Sequence, residues 1–188
     1  MLRRAFKQIW LTAGVCVLTG ACAPVLAADR SEEVVEAAYL FRFAGYIEWP
    51  GAVDQSDFVI VVLGSPAMAR RLRGLAQAQL INNHPVRVRQ ASSIRDIAGA
   101  DILYVATGHA DSLRSWTPPA SKSTLIVTDE EGGLRDGGTL NFLTIDRRVR
   151  FEVSLTAADQ AHLKISSELL GLAVRVFGAP RPAARGAE

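Results

Sequence analysis

Cysteine is nearly missing from this chain: among 188 residues only Cys16 and Cys22 carry a thiol, and both sit near the start. A domain that begins after them has no disulfide framework, no Cys-based metal site and no thiol nucleophile. Histidine is almost as scarce. His84, His109 and His162 are scattered, with no H-x-x-x-H or H-E-x-x-H spacing to build a local metal site. The G-x-S-x-G and Walker A patterns are absent. Asp129, Glu130, Glu131 and Asp136 surround Gly132-Gly133, but without calcium-loop spacing they read as a solvated loop. Asp101 opens a strand, the wrong end for a phosphoacceptor in an α/β chain. The expectation is a protein that is not an enzyme and needs no cofactor or metal.

Long apolar runs are lacking as well, except near the start. Arg3, Arg4 and Lys7 precede an apolar run from Ile9 to about Leu18, and small residues follow. The pattern predicts a secretory signal peptide over 1–27, cleaved after Val25-Leu26-Ala27. The run is short for a bilayer span. An alternative is the lipobox-like Leu18-Thr19-Gly20-Ala21-Cys22, which would place a lipid anchor on Cys22, although Thr19 stands where a leucine is usual. Excess positive charge also disappears with the signal. Of 21 Lys+Arg, three lie in residues 1–28, leaving 18 against 19 Asp+Glu. Nucleic-acid binding therefore has no electrostatic support.

What is present reads as one α/β domain over 28–178, followed by a Pro/Ala/Gly/Arg tail over 179–188 that is expected to be disordered. Ser31 is placed to cap a helix running to about Ile47. Val34, Ala37, Ala38, Phe41, Ala44 and Gly45 mark one face of it, and Trp49-Pro50-Gly51 stops it. That helix is apolar most of the way round, so it is either buried or meets a partner, a homodimer included. Phe58–Leu63, Ile102–Ala106 and Thr124–Thr128 are apolar runs of buried strands. Between them lie a helix from Pro66 to about Gln79, an alternating edge strand around Val86 and Val88, and short helical turns at 93–98 and 112–116. Residues 118–122 read as a linker. Repeated strand–helix units predict a mainly parallel central sheet flanked by helices. Residues 139–145 and 149–154 then form a hairpin around Asp146-Arg147-Arg148 at one edge of the sheet. Thr156 is placed to cap a short helix, with Asp159 at the capping-box position. Ser166 or Ser167 caps a final packed helix striped by Leu169, Leu172, Ala173, Val176 and Phe177.

Two surfaces are open to functional readings. Gly64 and Ser65, between a strand and a helix start, form a candidate anion or ligand site. Arg147, Arg148 and Arg150 with Glu152 form the densest charge cluster, and Arg150 and Glu152 share a strand face that suits a partner or anion.

Four segments resemble a known family. They are F-x-x-Y-I-E-W-P from Phe43 to Pro50, G-G-T-L-N-F from Gly137 to Phe142, R-V-R-F-E-V-S-L-T-A-A from Arg148 to Ala158, and L-K-I-S-S-E-L-L-G-L-A from Leu163 to Ala173. Together they resemble the YfiR-like family of small periplasmic proteins, in order and over nearly all of the domain. The resemblance implies a periplasmic repressor that binds the periplasmic sensor region of an inner-membrane diguanylate cyclase. Repression lowers cyclic di-GMP and limits exopolysaccharide and biofilm formation. The best-known members carry disulfides in the folded domain, which here has no cysteine, so control through such a bridge is not implied. The contact residues expected for the partner are Phe43, Tyr46, Glu48, Trp49, Arg150, Glu152, Lys164, Ser166 and Ser167. The alternative is a periplasmic small-ligand-binding module serving a transporter or sensor kinase.

Overall fold

Apolar β-branched runs decide the centre of the fold, and the computed structural model describes residues 23–50, 57–116 and 123–178. Residues 1–22 with Cys22, Gly51 at the expected helix stop, the linker 118–122 and the tail 179–188 lie outside the described residues. The chain runs α1 (Ala23–Ala44), β1 (Ile47–Glu48), β2 (Phe58–Leu63), α2 (Pro66–Ala76), β3 (Val86–Ala91), β4 (Ile102–Val105) and β5 (Leu125–Thr128). It continues through β6 (Leu140–Ile145), β7 (Arg148–Ser154), α3 (Leu155–Gln160), β8 (Lys164–Ile165), α4 (Ser167–Leu172) and β9 (Arg175–Phe177). Short 3₁₀ turns occupy Ile94–Asp96 and Ala110–Ser115.

Seven strands form one sheet in the order β3-β2-β4-β5-β6-β7-β9. Neighbours from β3 through β6 are parallel, β6 and β7 form the antiparallel hairpin, and β9 lies parallel to β7 at the edge. The hairpin turns on Asp146 and Arg147, both in the left-handed region, as a two-residue type I′ turn requires. From β2 the chain crosses to β3 on one side and then to β4 on the other. The point between β2 and β4, at their C-terminal ends, is where such sheets open a crevice.

Each face of the sheet has its own core. One core packs α1 and α2 on Ile60, Val62, Ile102, Tyr104, Leu125, Val127, Phe142 and Phe151. The other packs the two 3₁₀ turns on Val61, Leu63, Leu103, Val105 and Ile126. The expected mainly parallel α/β sheet flanked by helices is the observed architecture.

Several boundaries differ from the sequence reading. Helix α1 begins at Ala23, because Pro24 in the first turn and the alanines after it favour helix, so Ser31 lies inside the helix and not at its start. It stops at Ala44, since Ile47 and Glu48 are drawn into pairing with Ile165 and Lys164. Its buried residues are Glu36, Ala37, Leu40, Phe41, Phe43 and Ala44, whereas Val34 and Ala38 face solvent. Ser154, not Thr156, caps α3 by accepting from the Ala157 N–H. Helix α4 ends at Leu172, so the stripe to Phe177 is not helical. Val174, Val176 and Phe177 favour extended chain, and the outer edge of β7 offers them a ladder. The Val174 N–H starts it, donating to the Phe151 carbonyl at 2.9 Å.

Candidate functional site

The end of α1 and the start of α4 meet through a two-stranded sheet of β1 and β8. Ile47 pairs with Ile165 and Glu48 with Lys164, antiparallel. The Ser166 N–H donates to the Tyr46 carbonyl at 2.9 Å, extending the ladder by one bond. The Ser166 hydroxyl accepts from the Leu169 N–H, so Ser166 both joins the two segments and caps α4. Ser167 is the first residue of that helix and is exposed. Lys164 Nζ lies 3.2 Å from Glu48 Oε2, and both side chains are largely exposed. Trp49 is partly buried: its ring stands edge-on to Phe58 and its Nε1–H donates to the Ala44 carbonyl at 3.4 Å. Asn82 Nδ2 donates to the same carbonyl, so two side chains serve an orphan acceptor at the end of α1. Tyr46, Glu48, Trp49, Lys164, Ser166 and Ser167 thus lie on or beside two paired segments that are far apart in the chain, with Tyr46 and Trp49 packed against the core.

Three of the expected contact residues are placed elsewhere. Phe43 is 3% exposed and stacks among Tyr39, Phe142 and Phe151, so it is core rather than surface. Phe151 points from β7 toward α1. Arg150 and Glu152, the odd-even alternates, point to the opposite face of the sheet. Arg150 is partly exposed there, but Glu152 is buried. Its Oε1 accepts from Asn141 Nδ2 at 3.1 Å, and its Oε2 pairs with Arg175 at 3.1 Å. The expected Arg150–Glu152 contact surface therefore loses Glu152 to an internal network and stands apart from the α1 exit.

At the crevice, Gly64 has φ +89°, and a Cβ on it would meet the His109 ring 2.6 Å away. Only glycine combines that backbone conformation with that contact. Ser65 caps α2 by accepting from the Met68 N–H at 3.0 Å, and Pro66 follows at the first helical position. An acid of the same chain already stands over this helix start: Ser65 Oγ donates to Glu33 Oε1 at 3.1 Å, and Arg71 pairs with Glu33 Oε2 at 3.3 Å. At the Gly64–Ser65 candidate anion site the serine hydroxyl is thus engaged by Glu33 and the Met68 N–H.

Next to Glu33 lies a group that sequence reasoning missed. Glu36, only 4% exposed, is 3.1 Å from the Tyr104 hydroxyl, and Asp129 Oδ2 is 3.1 Å from the same hydroxyl. Burial first, and then the charge of Asp129, pushes the Glu36 carboxyl up to about 8; Glu32 and Glu33 act in the same direction. Burial and the two carboxyls push the Tyr104 phenol upward as well. The sequence carried one clue, a lone tyrosine in the apolar run of β4, whose hydroxyl needs a partner once buried. Of the acids after β5, Glu131 is exposed as a solvated loop would have it, whereas the other three are engaged by the fold. Asp129 meets Tyr104, Asp136 pairs with Arg114 at 2.6 Å, and Glu130 accepts from the Gly108 N–H. Asp101, at the start of β4, accepts from the Val59 N–H, a structural role at the end where its position in the sequence put it.

Among the described residues, no helix is long and apolar enough to cross a membrane. No curated protein matches the chain. The crystal structure of a conserved domain protein from Vibrio cholerae O1 biovar eltor str. N16961 resembles it with a TM-score of 0.53 at 11% identity, over 77% of this chain. The match covers 60% of that protein, so this chain spans less than two thirds of its length, and the likeness is one of fold. A family model described as YfiR/HmsC-like matches residues 33–174, from the buried face of α1 to the approach to β9, and this chain belongs to that family.

Proposed function

We propose that this chain is a non-catalytic periplasmic regulator, exported by the signal segment 1–27, that binds the periplasmic sensor region of an inner-membrane diguanylate cyclase and holds it inactive. Family membership over 33–174 is the observation that carries the reading. The surface built by β1 and β8 supports it. There an exposed Glu48–Lys164 pair joins two segments that also carry Tyr46, Trp49 and Ser167 and are held by the β1–β8 ladder. The mechanism is equilibrium inhibition: by binding the inactive conformation of the sensor more tightly, the regulator shifts its population in proportion to the differential affinity.

The test is retention of membrane proteins from the source organism on the immobilised chain, identified by mass spectrometry. Recovery of a cyclase with a periplasmic sensor region is the expected result. Recovery of a transporter or sensor kinase moves the regulator to another target. A second arm reverses the exposed charges. Glu48→Lys and Lys164→Glu leave the fold intact, because an exposed ion pair contributes little to stability. Each is expected to weaken cyclase binding by about tenfold, roughly 1.4 kcal/mol. Full affinity in both variants removes this surface from the interface.

A further inference from the structure

The carboxyls of Glu36 and Asp129 share one hydroxyl, and the proton count does not close if both are ionised. Tyr104 Oη lies 3.1 Å from Glu36 Oε2 and 3.1 Å from Asp129 Oδ2. A phenol has one proton and donates once. The second contact is a hydrogen bond only if the other carboxyl donates to the phenol oxygen. With both acids ionised, one contact holds two facing acceptors, in a buried place at Glu36 or a partly buried one at Asp129, which is costly. The arrangement closes when one proton resides on the acid pair. Glu36 is its natural holder, being 4% exposed beside Tyr104 at 1%.

We propose that Glu36, Tyr104 and Asp129 form a buried proton-binding site that latches α1 onto the C-terminal edge of the sheet, and that the latch weakens when the shared proton leaves. Against the Tyr104 hydrogen bond, which favours the ionised acid, burial and the neighbouring acids favour the bound proton. From α1 itself, Glu32 and Glu33 add negative charge, and Asp129 adds more from the end of β5. From α2, Arg71 and Ser65 engage Glu33. From β2 and β7 the residues facing α1 are apolar, Ile60 and Val62 on one and Phe151 and Val153 on the other. A proton is the ligand this chemistry fits, since among the described residues no three His, Cys, Asp or Glu side chains are arranged to hold a metal ion. Burial holds the Glu36 carboxyl well above its ordinary range, which supports the geometric count. The latch joins α1 to β4 and β5 at one end, while the Phe43 aromatic cluster joins it to β6 and β7 at the other. Proton loss therefore frees the part of α1 around Glu36 before the part around Phe43.

Amide hydrogen exchange on the full chain tests the site. Between about pH 6 and about pH 9, after correction for intrinsic exchange, protection of α1 amides around Glu36 is expected to fall about ten- to a hundredfold, while that of β4 and β5 holds. Glu36→Gln keeps a hydrogen-bonding partner for the phenol and has no proton to lose, so its α1 protection stays flat. A flat wild type, or a Glu36→Gln variant that falls in parallel with it, overturns the proposal. If Glu36→Gln fails to fold, Asp129→Asn gives a second reading. It removes the competing acid, and the transition moves to lower pH; an unmoved transition overturns the proposal. Difference infrared spectroscopy reads the proton itself. The carbonyl band of a buried carboxylic acid should vanish as pH rises and be missing from Glu36→Gln. Its absence from the wild type below about pH 6 also overturns the proposal.

Discussion

Asn141 shows how much a single buried amide is asked to hold. It is fully buried on β6, on the sheet face away from α1. Its Oδ1 accepts from Thr128 Oγ1 at 2.7 Å and from the Glu130 N–H at 3.3 Å, and its Nδ2 donates to Glu152 at 3.1 Å. Arg175 then pairs with Glu152, so one polar chain ties β5, β6, β7 and β9 together. Replacing Asn141 with leucine removes the partner of Glu152 Oε1 and of the Glu130 N–H, and leaves Thr128 Oγ1 only its longer contact to the Leu140 carbonyl at 3.3 Å. The expected loss is about 2–4 kcal/mol of unfolding free energy, read from urea denaturation. Asn141→Asp should cost at least as much, because it sets a second carboxylate against Glu152. Gly133 packs on the same network, where a Cβ would collide with Thr128 Oγ1 and crowd Asn141 Oδ1. Gly133→Ala is therefore expected to destabilise by about 1–3 kcal/mol in the same measurement, through crowding alone.

At the scale of elements, α1 is held by the aromatic cluster of Tyr39, Phe43, Phe142 and Phe151, with the Phe43 and Phe151 centroids 4.7 Å apart. Phe43→Ala opens a cavity between helix and sheet and is expected to cost about 3–5 kcal/mol. Val34, about half exposed on the same helix, is expected to tolerate serine within about 0.5 kcal/mol. Thermal unfolding of the two variants separates these roles; similar losses in both would mean that α1 packs by another face. Such contrasts mark what the sequence made legible. The strands β2, β4 and β5 were readable because β-branched runs buried on both faces have no other stable use in a chain of this size. The last helix was misread because Leu169, Leu172, Val176 and Phe177 keep helical spacing while Val174, Val176 and Phe177 carry strand propensity, and the free edge of β7 decides between them. The face of α1 was misread because a buried glutamate looks polar until Tyr104, 68 residues later, is brought to it. The β1–β8 surface left no periodic trace, since two-residue strands are too short to show one; only the family motifs at 43–50 and 163–173 pointed there.

For the whole molecule, the buried acid makes a statement about folding that differs from local release of α1. In the unfolded chain Glu36 titrates near its ordinary value of 4.5, and in the folded chain near 8. Between those values the folded state binds the extra proton, so stability falls as pH rises; below about 4.5 both states are protonated, and above about 8 both are ionised. The slope is at most about 1.4 kcal/mol per pH unit while one proton separates the two states. The usual acid that gains a salt bridge on folding has the opposite slope. A urea midpoint measured from about pH 5 to about pH 9 in wild type and Glu36→Gln isolates the contribution, because the ion pairs are common to both. The expected result is a difference curve that declines through this window and flattens above about pH 8. A difference curve that is level throughout would mean that Glu36 enters the folded core already ionised, and that the Tyr104 hydroxyl serves it alone.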